Sequence, residues 1–222
     1  MLRRMIFPVL MGGVGILVLC SLGIWQVQRM QWKAGYLAEI EAKIAADPVT
    51  LPAAPSLAAH KYLPVIAEGR FTGEGVDVLS STKAGGPGVR VIGVFETGDR
   101  RVLVDRGYLP EAARATPRKV AGARVEGNLQ WPDDSDAYTP PPDARTGLWF
   151  GRDVTKLAEA LNTEATLVVA RAPTGDAIAP MPVDTSGIPN DHWGYAITWF
   201  ALAAVWAGMT AVLVWRTGAR TV

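Results

Sequence analysis

The chain has 222 residues, 49% of them hydrophobic, and a formal net charge of +1. That balance gives no electrostatic footprint for nucleic acid or another polyanionic partner. The single cysteine, Cys20, excludes an intrachain disulfide and any Cys-rich zinc or copper site, and the length allows one ordinary domain plus two membrane spans.

From Met5 to Gln28 no residue is charged, and Arg3 and Arg4 precede the run. A cleaved signal peptide is the competing reading, since Ser21-Leu22-Gly23 loosely resembles a small-x-small cleavage site. The apolar run continues through Ile24, Trp25 and Val27, however, which is longer than a usual signal core. A retained transmembrane helix is therefore predicted at 6–27. Trp25, Arg29, Trp32, Tyr36, Ile40 and Ile44 recur near one helical face, so a helical extension is predicted over 28–46, ended by Pro48. Arg29 and Lys33 would then sit at headgroup height, where long basic side chains reach phosphate.

Residues 47–190 read as a β-rich domain, with Pro52–His60 as its opening loop. Strands are predicted at Tyr62–Phe71, Val76–Thr82, Val89–Thr97, Arg101–Leu109, Val120–Trp131, Leu148–Gly151 and Thr166–Arg171. Gly73-Glu74-Gly75, Gly85-Gly86-Pro87-Gly88 and Gly98-Asp99 mark the turns. One short helix fits Val154–Leu161, with Asp153 as its N-cap and Asn162 near its end. Consecutive strands on short turns imply a mainly antiparallel sheet, as a small barrel or sandwich. The fold class is thus membrane α + β, two transmembrane helices flanking that domain.

A second span is predicted at 193–215, since Tyr195 to Trp215 carries no formal charge and meets the ~20 residues needed to cross ~30 Å of hydrocarbon. Ala203, Ala207 and Ala211 put small residues at helical spacing there, and Gly12, Gly13 and Gly15 offer a counterpart in the first span. All tryptophans except Trp131 and Trp149 lie in or beside the two apolar segments. Two spans put both termini on one side, and Arg3, Arg4, Arg216 and Arg220 favour the cytoplasm for it. The β-rich domain is then periplasmic, in a multi-pass inner-membrane protein.

No nucleophile elbow, phosphate loop or zinc-protease motif is present, and His60 and His192 are the only histidines. The chain therefore reads as a non-enzyme. Asp133, Asp134, Asp136 and Asp143 have no calcium-loop spacing and read as a solvated acidic loop. His192 lies just before the second span among Trp193, Tyr195 and Trp199, and a helix from Asp191 would put His192, Tyr195, Trp199 and Trp206 on one face. An imidazole there can serve as an axial ligand of a haem iron. The plain alternative is a hydrogen-bonded interfacial histidine among aromatics that partition to membrane surfaces anyway. Asp105 and Arg106 are a charged pair inside an apolar strand, directed to opposite faces and so needing separate partners. Arg106 reads either as a brace of the fold or as a partner for an anion such as a haem propionate.

Four stretches in order resemble the surfeit-locus protein family of cytochrome c oxidase assembly factors. They are Leu22-Gly23-Ile24-Trp25-Gln26-Val27-Gln28-Arg29 with Trp32-Lys33; Tyr62 with Gly69-x-Phe71; Leu103-Val104-Asp105-Arg106-Gly107-Tyr108-Leu109-Pro110; and Asn190-x-His192-x-x-Tyr195-x-x-Thr198-Trp199-Phe200. The third departs from the family's pattern, with Asp105 for Asn and Tyr108 for Trp. The resemblance implies a non-enzymatic factor for haem-copper oxidase that assists placement of haem a in the catalytic subunit, and the family histidine maps onto His192. His192 is then the expected iron ligand, with Tyr195, Trp199 and Trp193 as aromatic walls. The expected partners are the oxidase catalytic subunit, a haem a synthase and the lipid bilayer, with no nucleic acid. A structural scaffold that holds the immature subunit without touching haem is the alternative. The absence of an Arg/Ser-rich presequence points to a bacterial rather than a mitochondrial membrane.

Overall fold

A computed structural model describes residues 2–118 and 122–219, with side chains from Ile6 onward. Val120, the predicted start of a strand, and Arg220 lie outside the described residues. The chain divides into two compact units: the first helix up to Glu39 with everything from Thr185 on, and Ile40–Asp184.

The first unit holds two long helices. Helix α1 is Leu2–Ile44 and helix α4 is His192–Ala219. Both are long and apolar enough to cross a membrane. Leu10, Leu17 and Trp25 on α1 are exposed, as are Val205, Met209 and Leu213 on α4. So much apolar surface is costly in water and costs little in lipid. The helices pack through small residues of α1: a Cβ at Gly12 would strike Thr210, one at Gly15 the indole of Trp206, and one at Gly23 the ring of Phe200. On α4, Ala196 and Ala203 are buried. Close approach at small residues is how helices gain van der Waals contact where lipid supplies no hydrophobic drive. Hydroxyls along these helices are satisfied locally, Ser21 donating to the Leu17 carbonyl (2.7 Å) and Thr210 to that of Trp206 (2.8 Å).

The second unit is built on a mixed sheet. Its elements after α1 are β1 (Val49–Thr50), α2 (Leu57–His60), β2 (Pro64–Thr82), β3 (Gly86–Thr97), β4 (Arg100–Pro110), β5 (Gly122–Leu129), β6 (Leu148–Trp149), α3 (Val154–Leu161) and β7 (Leu167–Ala170). Pairing runs β2–β3–β4–β7–β5, and β5 returns to β2, so the sheet closes on itself. The expectation of a mainly antiparallel sheet is corrected: β4–β7, β1–β2 and β2–β6 are parallel. A parallel pair needs a long crossover. Here the chain leaves β4, makes β5, passes through α3 and inserts β7 between the two. The predicted strands Tyr62–Phe71 and Val76–Thr82 are one strand, β2, with a register shift between Phe71 and Gly75 and Gly73 at φ +87°. Bending there lets its first half pair with β5 and its second with β3. The predicted loop 52–60 contains the single turn α2, started by Ser56 Oγ accepting from the Ala59 amide.

β3 and β4 are buried on both sides, which explains their near-continuous apolar runs. Phe71, Phe95, Val102, Val104, Val125 and Leu129 form one core cluster. A second joins α3, through Val154 and Leu157, to Ile92, Leu103 and Leu167. Each fully buried large side chain contributes roughly 1.5–3 kcal/mol. α3 begins at the predicted cap: Asp153 accepts from the Thr155 and Lys156 amides, and those bonds hold its carboxyl below the usual carboxylate range. Its end is Asn162 at φ +50°. The aspartates of the acidic loop serve turns and one arginine: Asp136 accepts from the Tyr138 amide, Asp143 from Arg145 and Thr146, and Asp134 binds Arg152 at 2.7 Å.

Candidate functional site

His192 is the first residue of α4, and its first turn closes by Gly194 N–H donating to the Asp191 carbonyl (3.1 Å). Its Nδ1 lies 2.7 Å from Oε1 of Gln26, one of the few buried polar side chains among the described residues. Among the described residues no protein group meets the other ring nitrogen, Nε2. Asn190, two positions upstream, has a buried Oδ1 with no hydrogen-bond partner among them. The site is therefore a half-buried imidazole with one nitrogen engaged, and an acceptor oxygen nearby in sequence with nothing among the described residues donating to it.

The aromatic residues named with His192 fall into two groups. Trp193 and Tyr195 are each 59% exposed, available as walls for an apolar plane. Trp199 is partly buried, and Trp206, on the same predicted face, is seated against Gly15 of α1. On α1, one to three turns beyond Gln26, the Arg29 guanidinium lies 4.0 Å over the Trp32 ring, Trp32 stacks on Tyr36, and Lys33 Nζ donates to the Pro189 carbonyl. Those contacts gather cations, aromatic rings and a carbonyl at the end of the apolar run, the composition of a membrane interface.

Gln26 is the residue that sequence reasoning passed over. It stands inside a quoted motif, and an amide within an uncharged apolar run is itself a signal, because a buried polar side chain needs a partner. The partner could not be read, since it is 166 positions away.

Arg106 belongs to the sheet unit and is 3% exposed. It donates to Thr174 Oγ1 (2.9 Å), the Thr174 carbonyl (3.0 Å) and Asp176 Oδ2 (3.0 Å), and its guanidinium lies 4.4 Å over the Phe71 ring. Asp105, fully buried, takes different partners: Arg90 at 2.8 Å, Arg152 at 3.3 Å and the Gly107 amide at 3.1 Å. Burial keeps the Arg90 guanidinium below its ordinary pKa even beside Asp105. A β-bulge explains how two adjacent charges are both accommodated: Val91 pairs with Gly107 and Ile92 with Asp105, leaving Arg106 as the extra residue. Gly107 sits at φ +112°, and a Cβ there would collide with the Ala179 carbonyl. Tyr108 then seals the β2–β3 turn, its hydroxyl 2.8 Å from the Gly85 carbonyl.

Comparison with known proteins finds the SURF1 family matching residues 14–204, a span that contains Gln26, Arg106 and His192. A SURF1-like protein of Monosiga brevicollis is 29% identical, over 90% of this chain and 85% of its own length. Surfeit locus protein 1 of Rattus norvegicus is 29% identical, over 83% of this chain and 68% of its own. A bacterial relative, a SURF1-like protein of Rickettsia felis, is 27% identical, over 84% of this chain and 87% of its own.

Proposed function

From the premise that the chain belongs to the SURF1 family, we propose that it is a membrane-anchored assembly factor for haem-copper cytochrome c oxidase. In this reading it is not an enzyme. It takes haem a as cargo, holds it weakly on His192 at the outer membrane edge, and yields it to the catalytic subunit. α1 and α4 cross a bacterial inner membrane with both ends in the cytoplasm, and the sheet unit stands in the periplasm. A haem a synthase is the natural donor.

The observation that carries the reading is the imidazole of His192, with Nδ1 engaged by Gln26 and Nε2 unclaimed. Haem iron accepts a neutral ring nitrogen. The exposed rings of Trp193 and Tyr195 offer apolar surface for a porphyrin plane, with Trp199 one turn further along α4. An imidazole nitrogen is a donor that haem iron takes, so His192 fits the group, and Asn190 two positions upstream keeps a buried Oδ1 with no partner among the described residues. One axial ligand at a lipid edge suits a carrier that must release. Arg106 acts here as a brace of the sheet unit, its Nε and Nη2 engaged by Thr174 and Asp176.

The test is an optical spectrum of the detergent-purified chain co-produced with haem a. The wild type is expected to carry a Soret band and His192→Ala to lose it. An unchanged band in a folded His192→Ala protein removes His192 from the function. A His192→Ala strain that still assembles active oxidase leaves only the scaffold reading.

A further inference from the structure

The Gln26–His192 contact spans the helix pair and is short, 2.7 Å. The amide oxygen of glutamine can only accept a hydrogen bond. An Nδ1 that faces this oxygen carries a proton, and in the neutral imidazole that leaves the lone pair on Nε2. Gln26 has no use for that oxygen elsewhere, since it is buried in an otherwise apolar stretch of α1. We infer that Gln26 is a positioning residue: from α1 it sets the tautomer and ring angle of His192 on α4, so that Nε2 is presented as the ligating nitrogen.

This rests on the reading of His192 as the cargo ligand, and it adds a reason for weak holding. Histidines that bind metals generally donate their second N–H to a carboxylate, carbonyl or water, and the partner tunes ligand basicity. A neutral amide draws less on the Nδ1 proton than a carboxylate does, so the ligand stays less basic and releases more readily. The contact also makes competence depend on the helix pair. Nε2 is presented only when Gly23 and Gly15 of α1 seat Phe200 and Trp206 of α4, since that packing fixes the register of Gln26 against His192.

His60 supplies an internal control. Its Nδ1 accepts from the Ser56 amide at 3.1 Å, so it carries the opposite tautomer, with the proton on Nε2. The test is nitrogen-15 NMR of the haem-free full chain, labelled at its two histidines, at a pH well above the ordinary histidine value of about 6.5. The spectrum should contain one Nε2–H imidazole, from His60, and one Nδ1–H imidazole, from His192. Gln26→Leu should turn the His192 signal into a tautomer mixture and leave His60 unchanged. A His192 signal of the Nε2–H type, or one unmoved by Gln26→Leu, overturns the inference.

In protein loaded with haem a, Gln26→Leu should weaken retention about 10–100-fold, the usual cost of losing such a partner. Gln26→Glu should restore binding with a shifted Soret band, because a carboxylate accepts more strongly. Weak retention that Gln26→Glu fails to restore also overturns the positioning role. Failure of the wild type to bind haem a would instead overturn the proposed function, and the tautomer result would stand apart from it.

Discussion

At the scale of single residues, the chain repeatedly answers a buried charge or amide with a dedicated partner. Asp105 is the clearest instance, fully buried between Arg90 and Arg152 and bonded to the Gly107 amide. Removing one member of such a set strands the others, which typically costs about 3–5 kcal/mol. Asp105→Ala should therefore destabilise the chain by about that amount in chemical denaturation. Asp105→Asn, which removes the charge but keeps an acceptor for Gly107, should lose visibly less; equal losses would show that the acceptor contributes nothing and that the charge alone is what the site needs. Asn128 follows the same logic at lower stakes, donating to the carbonyls of Ile44 and Tyr62 at 3.0 Å each. Gln26 and His192 repeat it within the helix unit.

At the scale of elements, two rules for placing side chains operate side by side. In the sheet unit, α3 is positioned by local chemistry, with Asp153 starting it and Asn162 stopping it, and by the burial of Leu157. In the helix unit, glycines of α1 receive large residues of α4, and the fit is steric. Gly15→Leu should drive Trp206 out of its seat and cost about 1–3 kcal/mol, the usual range for overpacking. Thermal denaturation in detergent would register this as a lowered midpoint. Gly13 faces open space, so Gly13→Leu is the matched control and should leave the midpoint unchanged. Equal effects of the two substitutions would refute the seating of Trp206 on Gly15.

At the scale of the whole molecule, the proposed function requires the sheet unit to lie on the periplasmic side. Tyr138, 92% exposed on the acidic loop, is a suitable reporter. In intact cells, Tyr138→Cys should react with a membrane-impermeant maleimide that reaches only the periplasm, while Cys20, inside α1, stays unlabelled. Labelling that appears only after lysis would put this unit in the cytoplasm and defeat the proposed route for haem.

Patterns carried by neighbouring residues were readable without coordinates. The two apolar runs, the cap-to-cap helix 154–161 and the apolar strand around Asp105-Arg106 all follow from periodicity, capping and turn chemistry within a few positions. So does the need of Asp105 and Arg106 for separate partners, since adjacent strand residues face opposite ways. The quoted motifs likewise led to the family. Contacts closed across long stretches of chain were not readable. The parallel insertion of β7 between β4 and β5, the continuity of β2 through Gly73, the choice of Arg90 and Arg152 for Asp105 and the pairing of Gln26 with His192 all depend on which surfaces meet. Local propensity carries no information about such meetings, because their energy is gained only after the chain has closed the loop between them.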